Sequence, residues 1–345
     1  MKISCQIIQL LFLLLFLSGC KTAGGLNETP SPQDENMVYR NPVVDRSLPD
    51  PTVIRAKDGN FYLYATEDTR NTPIFRSPNL VDWTFVGTAF TDQTRPSFEP
   101  KGGIWAPDIN YINGTYVLYY SMSVWGGEWT CGIGVATADS PEGPFTDRGK
   151  LFRSNEIGVQ NSIDPFYIEE KGKRYLFWGS FRGIYAIELA DDGLSVKPGA
   201  EKRQIAGTAY EGVYIHKRNG YYYLFASVGS CCEGLKSTYT TVVGRSKNLF
   251  GPYTDKQGRS MMENHHELLI QRNSRFVGTG HNSEIVQDSK GQDWMFYHAY
   301  SVENPKGRRL ILDQIRWKEG WPYVVDNSPS FMAPRPIFNN QNNIK

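Results

Sequence analysis

Apolar residues in this chain fall in short runs, among them Phe61-Tyr62-Leu63-Tyr64, Tyr116 to Tyr120, Tyr175 to Trp178, Tyr221 to Ala226 and Trp294 to His298. The runs are rich in aromatic and β-branched residues and are bounded by turn formers, which predicts strands. No long amphipathic pattern competes with them for a core. Five of the runs follow one recurring phrase, a polar or aromatic residue that reaches isoleucine four steps later. The copies are Asp50-Pro-Thr-Val-Ile54, Trp105-Ala-Pro-Asp-Ile109, Asp164-Pro-Phe-Tyr-Ile168, Glu211-Gly-Val-Tyr-Ile215 and His281-Asn-Ser-Glu-Ile285. Gly59, Gly114, Gly172, Gly220 and Gly291 supply the turn after each.

The phrases recur at intervals of roughly 50 to 70 residues, a period that indicates propeller blades. A second wording recurs between them. Phe75-Arg76-Ser77-Pro78-Asn79-Leu80 resembles Val243-Gly244-Arg245-Ser246-Lys247-Asn248-Leu249, and Val135 to Phe145 is a third version. These predict the outer hairpin of each blade. The expected fold is all-β, a five-bladed β-propeller over residues 37–338, because sandwiches and β-helices do not repeat on this length.

Equivalent repeats place equivalent residues at the axis, so Asp50, Trp105, Asp164, Glu211 and His281 should converge. A lone Asp-Pro merely opens a turn. Two at matching positions, with Glu211 at a third, predict a carboxyl cluster. Like charges held close are costly, so one carboxyl keeps its proton while another stays ionised. That is the acid and base pairing used in glycosidic hydrolysis.

Charge narrows the field. Lys plus Arg number 37 against 36 Asp plus Glu, a net +1, which leaves no basic surface for nucleic acid. Aromatic residues make up 13% of the 345, including 8 Trp and 20 Tyr, a surplus suited to stacking sugar rings. Trp105, Trp125 and Trp129 are the candidate substrate-binding residues. His265-His266 reads as solvated surface.

The N-terminus reads as a targeting segment, with Lys2 followed by apolar Ile7 to Leu17, too short to span a bilayer. Leu17-Ser18-Gly19-Cys20 resembles a bacterial lipobox, which implies cleavage before Cys20 and its lipidation. Residues 21–36 then form a flexible tether, and 339–345 a polar tail. The expectation is an exported, membrane-anchored monomer at the periplasmic face or cell surface. Cys131 and the adjacent Cys231-Cys232 match neither a disulfide framework nor a zinc pattern. The adjacent pair is either a vicinal disulfide or two thiols.

The phrases, with Ser162-Ile163-Asp164-Pro165, Tyr210-Glu211-Gly212 and Gly278-Thr279-Gly280-His281-Asn282, resemble in order the markers of glycoside hydrolase family 43. Ser227 to Tyr239, followed by Gly244-Arg245-Ser246, resembles its arabinanase branch. The resemblance implies hydrolysis of α-1,5-linked L-arabinan or arabino-oligosaccharides with inversion. Asp50 would be the general base, Glu211 the general acid, and Asp164 the residue that raises the acid's pKa. It also implies one metal ion, commonly calcium, near the axis beside His281 and held mainly through waters. Where arabinanases often carry a histidine before the base, this chain has Leu48-Pro49. A β-xylosidase or xylanase of the same family is one alternative, and a non-catalytic glycan-binding propeller is another.

Overall fold

The computed structural model describes residues 37–339. The targeting segment with Cys20, the tether and the tail beyond Asn339 lie outside the described residues. Five antiparallel sheets follow one another in chain order. The first blade is built from Thr52–Arg55, Phe61–Tyr64, Pro73–Ser77 and Thr84–Thr88. The second uses Gly103–Ile112, Thr115–Ser123, Gly132–Ala138 and Thr146–Arg153. The third uses Phe166–Glu170, Lys173–Trp178, Ile184–Leu189 and Arg203–Ala206, and the fourth Glu211–Arg218, Tyr221–Val228, Thr240–Ser246 and Glu267–Ile270.

The fifth blade closes the ring. Its inner position is split between Phe276–Gly280 and Ile285–Gln287, which both pair with Asp293–Ser301, and Arg309–Lys318 lies next. Outermost is Val44–Ser47, from the start of the fold. A strand from the start of the fold thus completes the last blade, a separate two-stranded sheet pairs Val38–Arg40 with Met332–Pro334, and the propeller keeps only short edges.

The second strand of each blade is covered on both faces by its neighbours, so its apolar residues run continuously instead of alternating. Phe61 to Tyr64 and Tyr222 to Ala226 are buried throughout. The core accordingly lies between blades. Tyr62, Tyr64 and Ile74 of the first pack with Ile109, Leu118 and Tyr120 of the second, and Tyr119 and Ile133 pack with Leu176 and Trp178 of the third. Each such side chain stabilises the fold by about 1.5–3 kcal/mol.

The five phrases open the inner strands, but in two backbone forms. Asp50, Asp164 and His281 themselves adopt left-handed φ values of 53°, 61° and 52°. In the other two blades the second residue does so, Ala106 at 40° and Gly212 at 60°. There the inner strand begins earlier and bulges, between Trp105 and Asp108 and between Glu211 and Tyr214. A bulge re-aims the side chain beside it. Trp105 and Glu211 are the leaders so affected.

Candidate active site

All five phrase leaders line one cavity of about 340 Å³, together with Thr66, Ser180, Trp125, Cys231, Cys232 and Arg308. The residues that follow the leaders line a second, much smaller axial pocket of about 20 Å³, with contributions from every phrase.

Each leader is clamped by a polar side chain at the end of the preceding blade's second strand. Thr66 Oγ accepts from the Ala106 amide at 2.7 Å, Ser121 Oγ from the Asp164 amide at 2.8 Å, and Ser227 Oγ from the His281 amide at 2.8 Å. His298 plays this part across the ring closure, with Nδ1 3.2 Å from the Asp50 amide. The fourth blade differs, for Ser180 Oγ donates to the Glu211 carboxylate at 2.6 Å. Residues with left-handed φ store strain of about 1–3 kcal/mol each unless they are glycine, and the clamps hold them in place.

Asp50 sits in a cage of donors. Arg308 Nη1 lies 3.0 Å from Oδ1, His281 Nδ1 3.2 Å from the same oxygen, and Thr66 Oγ donates to Oδ2 at 2.6 Å. Burial alone would raise this carboxyl. The opposing charges of Arg308 and His281 hold it well below the usual range. Asp50 is therefore ionised at neutral pH. His281 responds in kind: burial lowers it, but Asp50 and Asp164 outweigh burial and push it up to about 9.

Glu211 and Asp164 are driven the other way. Burial raises Glu211 more than the hydrogen bond from Ser180, the nearby Tyr239 hydroxyl and the charge of His281 lower it. Asp164 is pushed up to about 8, first by burial and then, against the pull of His281, by Glu211 and Asp50. Its Oδ2 accepts from the Gly212 amide at 3.3 Å, which ties it to the backbone beside Glu211. Gly212 has no alternative there, since a Cβ would press on the His281 ring at 3.1 Å. Two carboxyls that resist ionisation thus face one that is locked in its ionised form. Such divergence marks acid and base roles.

Residues 39–322 match the model of glycosyl hydrolases family 43. The chain belongs to glycoside hydrolase family 43. Among family relatives, an extracellular endo-α-(1→5)-L-arabinanase of Bacillus subtilis is 35% identical, over 80% of this chain and 87% of that protein. An extracellular exo-α-(1→5)-L-arabinofuranosidase of Cellvibrio japonicus is 36% identical over 83% and 89%. The solved structure of a Cellvibrio cellulosa α-L-arabinanase with arabinohexaose aligns at TM-score 0.74 and 33% identity, covering 81% of this chain and 95% of that one.

Of the tryptophans in this family 43 hydrolase, Trp105 and Trp125 line the cavity and lean together with ring centroids 5.5 Å apart. Trp125 is 80% exposed, a free face beside the carboxyls. Trp129 does not line the cavity and stands half-exposed on the same loop. Cys231 and Cys232 are joined as a vicinal disulfide. His266, expected as surface, is instead packed edge-on against Tyr210, with Nδ1 3.0 Å from its hydroxyl. It buttresses the residue before Glu211.

Several functional residues escaped the sequence reading. Arg308, His298, Thr66, Ser180 and Tyr239 lie outside the leader positions. The clamps carry a signal after the fact, a hydroxyl at the end of each second strand except the fifth. Tyr239 carries little signal; it stacks on His298 at 5.5 Å, and a Cβ at Gly280 would run into its ring.

The axial pocket bears on the expected metal. His281 gives Nδ1 to Asp50, which leaves Nε2 as the one atom it can offer a metal, on losing the proton that its raised pKa otherwise retains. Asn282 Oδ1 is buried without a partner, and Asp108 and Glu284 line the same pocket. Both carboxyls are committed elsewhere: Asp108 accepts from the Tyr167 amide at 2.8 Å and Glu284 from Thr52 Oγ at 2.7 Å. Among the described residues no three His, Cys, Asp or Glu side chains converge as direct chelators. An oxygen-rich pocket with few free protein ligands fits a hydrated calcium ion.

Proposed function

We propose that this chain hydrolyses α-1,5-linked L-arabinan or its oligosaccharides with inversion at the anomeric carbon. The observation that carries the proposal is the opposed state of two carboxyls in one cavity, Asp50 held ionised by Arg308 and His281 and Glu211 raised by burial. Asp50 would take a proton from water as that water attacks the anomeric carbon. Glu211 would give its proton to the leaving oxygen. Inverting enzymes keep these carboxyls about 6.5–9.5 Å apart so that water fits between them. Asp164, touching the Gly212 amide, would keep the acid protonated and positioned. The choice of arabinan is supported by the names of the relatives, both the endo- and the exo-acting one.

A calcium ion fits this reading. His281 Nε2 and Asn282 would hold it, mainly through waters, and when bound it would add fixed positive charge beside the carboxyls. The leader and Cys20 support export and lipid anchoring, and the relatives' description as extracellular agrees with export.

The test is to incubate residues 36–345 with linear arabinan and with xylan and to resolve the products over time. Arabinose or arabino-oligosaccharides from arabinan alone are expected. Xylose products would move the assignment to a xylosidase, and calorimetric binding without product would make the chain a glycan-binding propeller.

A further inference from the structure

Cys231 and Cys232 both line the catalytic cavity, on the loop that joins Tyr221–Val228 to Thr240–Ser246 in the blade that carries Glu211. Side chains of adjacent residues in an extended chain point to opposite sides. The S–S bond overrides that divergence and keeps both sulfurs in one wall. Its contribution to folding through chain entropy is small, because stabilisation by a cross-link grows with the length of loop closed and this one closes none. Its use therefore lies in the surface it makes.

The loop needs no help from the bond to hold its shape. The Ser230 carbonyl accepts from the Thr238 and Tyr239 amides, both at 3.1 Å, and closes the loop at its base. Ser237 Oγ accepts from the Glu233 amide at 2.9 Å. The chain then enters Tyr239, which is 1% exposed and places its buried hydroxyl near Glu211. The disulfide is thus fixed in position relative to the acid. It adds apolar, non-titrating surface to a cavity lined by carboxyls and cations on one hand and by Trp105 and Trp125 on the other.

We propose that the Cys231–Cys232 disulfide is a substrate-contacting wall of the cleft, a plate against the C–H face of an arabinofuranosyl unit next to the scissile bond. This rests on the arabinan reading above. Reduction opens the plate: two electrons and two protons from a dithiol convert the bond to two thiols, which are free to diverge, and the dithiol becomes a disulfide.

The experiment reduces the folded protein with dithiothreitol, verifies two added hydrogens by mass, and measures kcat and KM on arabinotriose beside a Cys231→Ser/Cys232→Ser variant. The expected result is a KM raised about five- to tenfold in both, the weight of a few tens of Å² of apolar contact. kcat should change far less, reoxidation should restore KM only in the native protein, and the melting temperature should hold. An unchanged KM after complete reduction overturns the proposal. So does a loss of kcat that follows a loss of melting temperature, which would assign the bond to the fold. Calorimetry of arabinotriose on Glu211→Gln, before and after reduction, separates the two readings. Binding by this variant that weakens on reduction, beside a native protein that cleaves no arabinan, would uphold the plate and discard the hydrolase.

Discussion

Ser180 Oγ donates to Glu211 Oε2 at 2.6 Å, so this clamp grips the carboxylate of its leader directly, where Ser121, Ser227 and His298 grip a backbone amide. A donor favours the ionised form of its acceptor, so this bond lowers the Glu211 pKa against the larger effect of burial. Ser180→Ala should move the basic limb of the kcat/KM profile to higher pH. It should also cost about 1 kcal/mol of positioning, roughly fivefold in kcat. A pH-rate profile of the variant checks both.

Asp164→Asn should move the same limb the other way. Asp164 and Glu211 are buried together, and Glu211 is one of the charges that raise Asp164; repulsion within such a pair is mutual, so the two titrate jointly. Without the neighbouring carboxyl, Glu211 gives up its proton at lower pH, and activity is lost earlier as pH rises. Opposite shifts from Ser180→Ala and Asp164→Asn would be hard to obtain from a Glu211 that is not the titrating acid.

Arg308 governs the acid limb. It is the foremost group that holds Asp50 below the ordinary carboxylate range. Arg308→Gln removes it, so Asp50 should protonate at higher pH and the acid limb should rise. The loss of one charge-assisted bond, about 1.5–3 kcal/mol, predicts a fall in kcat/KM of ten- to hundredfold at neutral pH. A profile with an unmoved acid limb would detach Asp50 from the base role.

The tryptophans separate by position. Trp125→Ala should raise KM about fivefold, the value of one stacking contact near 1 kcal/mol, with little change in stability because the ring is 80% exposed. Trp129→Ala should leave KM within about twofold, since that ring lies off the cavity lining. Steady-state kinetics on arabinotriose with melting curves distinguishes the two.

The fold was legible because a propeller repeats itself, and each repeat announces its inner strand with the same phrase. That the five leaders meet in one cavity followed from their equivalence alone. The cage around Asp50 did not follow, because Arg308 reaches it only through ring closure. The amide of Leu48 bonds the Arg308 carbonyl at 2.9 Å once Val44–Ser47 has joined the last blade. No local pattern reveals a partner that far along the chain. Asp108, fourth in the second phrase, serves a structural hydrogen bond to the Tyr167 amide. Its partner Glu284, at the same phrase position in the fifth blade, reads in sequence as an ordinary polar residue. His266 was misjudged for a similar reason, as only packing against Tyr210 removes it from solvent.

The central claim is a direct displacement by water, activated at Asp50 and assisted by Glu211. The most direct measurement is proton NMR of the first sugar hemiacetal released from α-1,5-arabinan, followed before mutarotation, with Glu211→Gln in parallel. The β-anomer is expected first, with at least a 10²-fold slower release in the variant. An α-anomer appearing first, or a variant as fast as the native protein, would contradict it.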